Sequence, residues 1–190
     1  MSVDTVLPIA AMSVAANGCV AVMLEDGNTQ YIDMYDTAGD KAYRIKTNIS
    51  GNGIPMSISI SNDAVKLMVA YTDIENNDIS TSIAFYNFGE VGKNMSERLV
   101  GGFDQYDGML VPKVQFLTAD TAIAVATGKL SIYSITQYPK LMTDIVFDNE
   151  LHGIFYSSKY IGLIFPNHES GYPYLSLIHI SEPTRLQLIS

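Results

Sequence analysis

The sequence has 190 residues, 47% of them hydrophobic, which is enough for one domain with a sizeable core. Eleven basic residues against 20 acidic ones give a formal charge of −9, so the chain repels phosphate backbones and is not expected to bind nucleic acid. Twelve tyrosines and seven phenylalanines favour packed β-structure over a disordered chain.

The first apolar run, residues 5–24, carries no charge and is about as long as a membrane-spanning helix. Pro8 near its start and Asn17-Gly18 in its middle instead predict two strands joined by a tight turn. Basic residues that would orient a span are missing from both flanks, and the chain start lacks the positive charge of a secretory signal. The single cysteine, Cys19, lies beside small apolar residues and is expected to be an inert, buried thiol.

The pattern of this first hairpin recurs along the chain. Each copy consists of a strand, a polar turn, an apolar strand, a connection and an aromatic strand. The turns fall at four pairs: Asn17-Gly18, Asn62-Asp63, Ala119-Asp120 and Ser158-Lys159. Their spacings are 45, 57 and 39 residues, and the longest contains a polar segment, residues 72–82, that we expect to be an inserted loop. Repeats of about 40–50 residues with four strands have the size of propeller blades.

The second strand of each copy is almost continuously apolar, as in Val20-Ala21-Val22-Met23-Leu24. A half-exposed strand would alternate apolar and polar residues, so both faces of these strands must be covered. The chain is therefore predicted to be all-β, a partial β-propeller of three to four blades of antiparallel strands. Tyr35, Tyr86 and Tyr133 occupy matching places in the third strands and are expected to pack between blades rather than to form a cofactor platform.

The segment FYNFGEVGKNMSERLVGGFDQYDGMLVPKVQFL, residues 85–117, resembles an uncharacterised family of Gram-positive anaerobes, domain-of-unknown-function family 5711. The phrases YDTAGDK, PMSISISND and LHGIFYSSKYIGLIF are similar to the same family, so the resemblance covers nearly all of residues 6–165. It implies a propeller-like domain held outside the cell membrane by an N-terminal helix. It implies no reaction and no catalytic residues. No anchor helix precedes the first repeat, and the fourth repeat stops early, so we expect a fragment of a larger ring.

The last segment, LSLIHISEPTRLQLIS, resembles the in-frame translation of a sequencing-library adapter. Residues 1–174 are therefore interpreted as an incomplete propeller domain, and residues 175–190 as an adapter-derived tail. The rival interpretation is a genuine terminal strand.

Residue patterns typical of catalysis or metal binding are weak in this sequence. His152 and His168 do not stand in a metal-spaced pair, and the acidic stretch at residues 73–78 lacks the glycine and distal glutamate of a calcium loop. Gly101-Gly102 is interpreted as a turn at a strand end, because the Lys-Ser/Thr ending of a phosphate loop is missing. Serines occur outside any Gly-x-Ser-x-Gly context. No catalytic, cofactor-binding or metal-ligating residue is predicted, and no cofactor is expected.

Three functional hypotheses remain from the sequence. The first is a non-catalytic module at the cell envelope, outside the cytoplasm and membrane-anchored in the full-length protein, that binds a protein or glycan through loops on the propeller face. The second is a quinoprotein-like or hydrolytic propeller enzyme, since YIDMYDTAG also resembles blade text of quinoprotein dehydrogenases. The third is the input domain of a sensor.

Overall fold

The computed structural model describes residues 5–27, 29–47, 53–88, 99–148, 150–166 and 172–180. Within these ranges the chain forms strands and turns, with no helix. The strands are β1 (Ile9–Val14), β2 (Val20–Asp26), β3 (Thr29–Tyr35), β4 (Lys41–Thr47), β5 (Ile54–Ile60), β6 (Lys66–Glu75), β7 (Asp78–Asn87), β8 (Leu99–Phe103), β9 (Lys113–Phe116), β10 (Thr121–Ala126), β11 (Lys129–Ser134), β12 (Lys140–Val146), β13 (Gly153–Tyr156), β14 (Tyr160–Phe165) and β15 (Tyr174–His179).

These strands form four separate antiparallel sheets that follow one another along the chain. Sheet 1 contains β1 to β4, sheet 2 β5 to β8, sheet 3 β9 to β12 and sheet 4 β13 to β15, each in sequence order. Within each sheet, every strand pairs with the next one in sequence, so each sheet is a simple meander. The predicted all-β class and its repeating antiparallel blades are confirmed.

The four predicted turn pairs lie between the first and second strands of the four sheets, as expected. In the first of these turns Gly18 has a φ of 90°, a conformation that side chains with a Cβ rarely adopt. The Asn17 side chain accepts a hydrogen bond from the Cys19 N–H at 3.1 Å, which closes the turn locally. Turn chemistry therefore helps to set the register of this first hairpin.

The second strands are buried on both faces, as their composition predicted. The side chains of four residues on these strands are fully buried: Ala21, Met68, Ala70 and Ala124. Three apolar clusters join the consecutive sheets, one between sheets 1 and 2, one between sheets 2 and 3 and one between sheets 3 and 4. Met23 and Val69 thus meet between sheets 1 and 2, whereas Phe85 and Tyr133 meet between sheets 2 and 3. Stacking of neighbouring sheets builds a continuous core.

Serine side chains on the first strands connect neighbouring sheets. The Ser13 Oγ on β1 accepts a hydrogen bond from the Ile60 N–H on β5 at 3.1 Å. On β5, Ser59 Oγ accepts one from the Phe116 N–H of β9 at 2.8 Å, and Ser57 does the same for Val114 at 3.1 Å. These hydroxyls satisfy backbone donors that a further strand would otherwise pair.

Two sequence interpretations are wrong. The segment at residues 72–82 is not a loop, because β6 and β7, each ten residues long, continue through it as one hairpin that turns at Asn76-Asn77. The hydroxyls of Thr72 and Thr81 are buried and lie 3.1 Å apart, which holds the extended strands together. Gly101-Gly102 lies inside β8 rather than in a turn. A Cβ on Gly102 would be only 2.8 Å from the Ile83 carbonyl oxygen, so the position needs glycine for close strand approach.

Cys19 is partly buried rather than fully enclosed, and packs against the cluster between sheets 1 and 2. The apolar run at residues 5–24 supplies β1 and β2 instead of a helix. Within the described ranges, no helix has the length and apolar character needed to cross a membrane.

The last described strand, β15, pairs with β14 along its whole length and buries Ser176 and Ile178. It therefore falls largely inside the segment interpreted as adapter-derived. Strand pairing depends on backbone and alternating side chains and carries no information on the origin of the codons, so that interpretation stays a prediction. Residues 181–190 lie outside the described residues.

Candidate functional site

The antiparallel order places the loops of the sheets at two opposite ends. One end, here the turn-linked end, carries the four predicted turns between first and second strands. The other end, here the acidic end, carries the hairpins between second and third strands and the connections between successive sheets. Contacts between sheets confirm this division, because the Gly108 N–H donates to the Ile79 carbonyl at 2.7 Å and the Thr127 N–H to the Leu110 carbonyl at 3.2 Å.

The acidic end concentrates exposed carboxylates. Its exposed acidic residues are Glu25, Asp26, Asp73, Glu75, Asp78, Asp104, Asp107, Asp148 and Glu150. Of the basic residues described at this end, Lys129 is buried, and Lys46 and Lys113 stand at the ends of β4 and β9. This end therefore presents a strongly negative field to solvent.

The turn-linked end differs in charge, because its described residues include four acidic and four basic side chains: Asp36, Asp40, Asp63 and Asp120 against Lys41, Lys66, Lys140 and Lys159. The Asn17 side chain donates to the Asp63 carbonyl at 3.3 Å, and Asn62 donates to the Leu117 carbonyl at 3.2 Å. Lys66 bridges to Asp120 at 2.7 Å and to the Ala119 carbonyl at 3.0 Å. These contacts join consecutive sheets, so this end holds the blades in register.

A buried polar cluster lies between sheets 2 and 3. The hydroxyls of Tyr106 and Tyr133 hydrogen-bond to each other, and both side chains are fully buried. Nearby, Ser131 donates to the Asp144 carboxylate at 2.6 Å, and the Lys129 ammonium lies 4.4 Å from the centre of the Tyr106 ring. Burial raises the pKa of both tyrosines above its ordinary value, so they remain neutral hydrogen-bonding groups at physiological pH.

The chemistry of this cluster is structural. Ser131 is fully buried, so its hydroxyl is closed to any substrate, and its partner is a carboxylate rather than an imidazole base. Sequence reasoning missed the cluster because its members come from β11, β12 and the connection that precedes β9, which only the fold brings together. The alternation of Lys129, Ser131 and Tyr133 along one face of β11 was the available signal.

A second charged group occupies the free side of sheet 1. Asp33 is 1% exposed and is held by a bidentate pair with Arg44, at 2.6 and 2.7 Å. Lys41 adds a further contact at 3.7 Å, and the Tyr35 hydroxyl donates to the same carboxylate at 3.4 Å. The hydrogen bond to Asp33 raises the pKa of the Arg44 guanidinium. The pKa of the Tyr35 hydroxyl is also raised, mainly by burial and then by the negative charge of Asp33. The group is a neutralised ion pair that anchors β4 to β3.

The residues weighed as metal or cofactor candidates are dispersed in the fold. His152 is exposed in the connection before β13, and His168 lies outside the described residues. The acidic stretch at residues 73–78 forms the tip of the β6–β7 hairpin, with its carboxylates on both strands. Within the described part of the chain, no three His, Cys, Asp or Glu side chains gather in a metal-binding arrangement.

Tyr86 and Tyr133 pack between neighbouring sheets as predicted, whereas Tyr35 does not. Tyr133 lies edge-on to Phe85 of sheet 2, with ring centroids 5.5 Å apart. Tyr86 packs between sheets 1 and 2, and its hydroxyl lies 2.9 Å from that of Tyr71. Tyr35 packs with Val22 and Leu24 on the free side of sheet 1.

An open apolar cleft of about 320 Å³ lies on the free side of sheet 4. Its lining residues are Phe155, Tyr156, Ser157, Tyr160, Gly162, Leu175 and Leu177. Phe155 on β13 pairs with Gly162 on β14, which has no side chain to cover the ring, and Phe155 is 65% exposed. This side of the sheet is therefore an uncovered apolar face.

The sequence matches the model of DUF5711, a family of unknown function, over residues 1–181. The chain belongs to this family. The predicted family resemblance is thereby confirmed, and the match carries no assigned reaction or ligand. No curated protein matches the chain at a significant level.

Solved structures similar to this DUF5711 chain show the fold. The β-propeller domain of the trilobed protease from Pyrococcus furiosus aligns with a TM-score of 0.62 at 9% identity, covering 90% of this chain and 53% of that one. Hydrazine synthase from Kuenenia stuttgartiensis aligns with a TM-score of 0.57 at 12% identity, covering 96% of this chain and 49% of that one. The β-propeller domain of Cps50 (Swd1) from Myceliophteria thermophila aligns with a TM-score of 0.53 at 18% identity, covering 88% of this chain and 53% of that one.

These likenesses establish a β-propeller architecture, and at this level of identity they establish the fold alone. The chain spans about half the length of the structures that it matches. The four sheets are accordingly a partial β-propeller, as the repeats predicted.

Proposed function

We propose that this chain is a non-catalytic propeller module that binds a protein partner through its acidic end. The observation that carries the proposal is the difference between the two ends. Among the described residues of the turn-linked end, acidic and basic side chains are equal in number, and Lys66 pairs with Asp120. At the acidic end, nine exposed carboxylates project from the β2–β3 and β6–β7 hairpins and from the connections before β9 and β13. Loops positioned on a rigid scaffold are the usual place of recognition in such folds.

The charge of this end defines the partner's chemistry. Exposed carboxylates that outnumber the cations around them attract a surface rich in Lys and Arg, and they accelerate encounter at low ionic strength. The fully buried polar groups of the chain, including Ser131 and Tyr133, serve the packing of sheets and are closed to substrates. The family resemblance supports a location at the cell envelope, outside the cytoplasm, with the full-length protein anchored in the membrane.

Binding to poly-L-lysine, followed by envelope extracts of the source cells, tests this proposal. Asp107→Lys at the acidic end and Asp40→Lys at the turn-linked end are matched variants, because both residues are exposed and both substitutions change the net charge equally. We expect Asp107→Lys to weaken binding several-fold at low salt and to lower its salt dependence by about one charge. Asp40→Lys should bind like the wild-type chain.

Equal loss of binding in the two variants would show that only net charge matters and would refute a role for the acidic end. Extracts must yield a basic protein whose retention is lost in Asp107→Lys. Retention of the same proteins by all three chains would also contradict the proposal.

A further inference from the structure

The connection between β8 and β9, residues 104–112 and here called the strap, crosses the acidic end from sheet 2 to sheet 3. It is hydrogen-bonded to both of these sheets. On the sheet 2 side, the Thr81 hydroxyl of β7 donates to the Met109 carbonyl at 2.8 Å. On the sheet 3 side, the Thr127 N–H between β10 and β11 donates to the Leu110 carbonyl at 3.2 Å. The strap therefore has a fixed path over the boundary between the two middle sheets.

Tyr106 anchors the strap from below. It is fully buried, although Gln105 and Asp107 on either side of it are exposed. Its ring packs in the apolar cluster between sheets 2 and 3, and its hydroxyl hydrogen-bonds to that of Tyr133 on β11. The Gln105 side chain donates to the same Tyr133 hydroxyl at 3.2 Å, and the Lys129 ammonium donates to the Gln105 carbonyl at 3.4 Å. A side chain inserted into the core thus holds the exposed backbone of the strap in place.

The strap carries two of the exposed carboxylates of the acidic end, Asp104 and Asp107. They lie two residues before Tyr106 and directly after it, so the anchored tyrosine fixes the backbone that bears both. A loop that holds one conformation before binding loses less conformational entropy when a partner contacts it. The anchor therefore bears on how firmly these carboxylates can hold a partner, without changing their number.

We propose that the Tyr106 hydroxyl is a positioning group for partner binding, which fixes the strap so that Asp104 and Asp107 meet a basic partner in a preformed arrangement. This inference rests on the proposed function and adds to it a buried residue that does not touch the partner. Exposed charge governs how fast a basic partner arrives, whereas the fixed shape of the strap governs how long it stays bound. The two contributions separate in the association and dissociation rates.

Tyr106→Phe in the full chain removes the anchoring hydroxyl and keeps the ring. Tyr86→Phe is the matched control, because the Tyr86 hydroxyl belongs to the other buried tyrosine pair, 2.9 Å from that of Tyr71 and between sheets 1 and 2. Each substitution deletes one buried hydroxyl and no charge, and circular dichroism verifies that both variants keep their sheet signal. Amide hydrogen exchange at Gly108, whose N–H bonds to β7, should accelerate by about tenfold in Tyr106→Phe only.

Surface plasmon resonance with a decalysine peptide as the probe then measures binding. We expect Tyr106→Phe to dissociate about two- to tenfold faster than the wild-type chain, because the strap must be ordered during binding. Its association rate and the salt dependence of that rate should be unchanged, since the exposed charges are the same. Tyr86→Phe should match the wild-type chain in both rates. Asp107→Lys gives the opposite pattern, because it slows association.

Faster exchange at Gly108 with an unchanged dissociation rate in Tyr106→Phe would overturn the positioning role and leave the proposed function standing. Equally fast dissociation in Tyr86→Phe would also overturn it, because the effect would then follow general stability. Unchanged exchange at Gly108 would show that the hydroxyl does not anchor the strap. A wild-type chain that does not bind decalysine would instead refute the proposed function, and this inference with it.

Discussion

Replacing Ser59 by alanine tests the hydrogen bonds that join neighbouring sheets. Ser59 is fully buried, and its Oγ accepts the Phe116 N–H across the interface between sheets 2 and 3 at 2.8 Å. Phe116 is 2% exposed, so water cannot take the place of the hydroxyl. Leaving a buried donor unpaired costs about 1–3 kcal/mol. For a chain of this size, that loss lowers the melting temperature by about 2–12 °C.

Urea denaturation of Ser59→Ala, compared with Ser80→Ala, measures this loss. Ser80 is exposed on β7, so the same substitution there should change stability by less than about 0.5 kcal/mol. Amide hydrogen exchange should accelerate at Phe116 in the first variant only. Equal denaturation midpoints for the two variants, with unchanged exchange at Phe116, would refute the bond's role in joining the sheets.

Three further predictions concern the core, the close strand contact and the tail. Burial raises the pKa of Tyr71, Tyr86, Tyr106 and Tyr133. The unfolded chain therefore loses these protons near pH 10 while the folded chain keeps them, so stability should fall as pH rises above about 10, by up to about 1.4 kcal/mol per pH unit for each tyrosine. Urea titrations from pH 8 to 11 should show this decline, and flat stability would contradict it. Gly102→Ala should destabilise the fold by about 1–3 kcal/mol through its clash with the Ile83 carbonyl, whereas Gly153→Ala, where a Cβ would come no closer than 3.9 Å to Ile164 and the backbone is not left-handed, controls for the change in composition. Sequencing the genomic locus should show that codons for residues 175–190 are replaced by other sequence; their presence would establish a genuine terminal strand.

Local chemistry made much of the fold predictable. The turn at Asn17-Gly18 and the unbroken apolar run of β2 depend on nearest neighbours and on burial of both faces, so they can be found without knowing the partner sheet. The extended hairpin at residues 72–82 was missed because its polar residues resemble a loop. Only the structure shows that Thr72 and Thr81 bond to each other inside it.

The candidate surfaces could not be predicted in the same way. Carboxylates of the acidic end come from segments as far apart as Glu25 and Glu150, which the meander of the sheets brings to one end. Phe155 belongs to a strand that the pattern correctly identified, yet its exposure depends on which sheet covers which. Tertiary stacking, rather than strand composition, decides which side chains these candidate surfaces expose.

Nuclear Overhauser contacts between aromatic rings test the stacking of the sheets most directly. Three ring pairs each join consecutive sheets: Tyr43 with Phe88 at 5.4 Å, Phe85 with Tyr133 at 5.5 Å, and Phe147 with Phe165 at 5.3 Å between centroids. All three contacts should be observed in one folded species. Their absence, or contacts that join sheet 1 directly to sheet 3, would contradict a propeller-like succession of sheets.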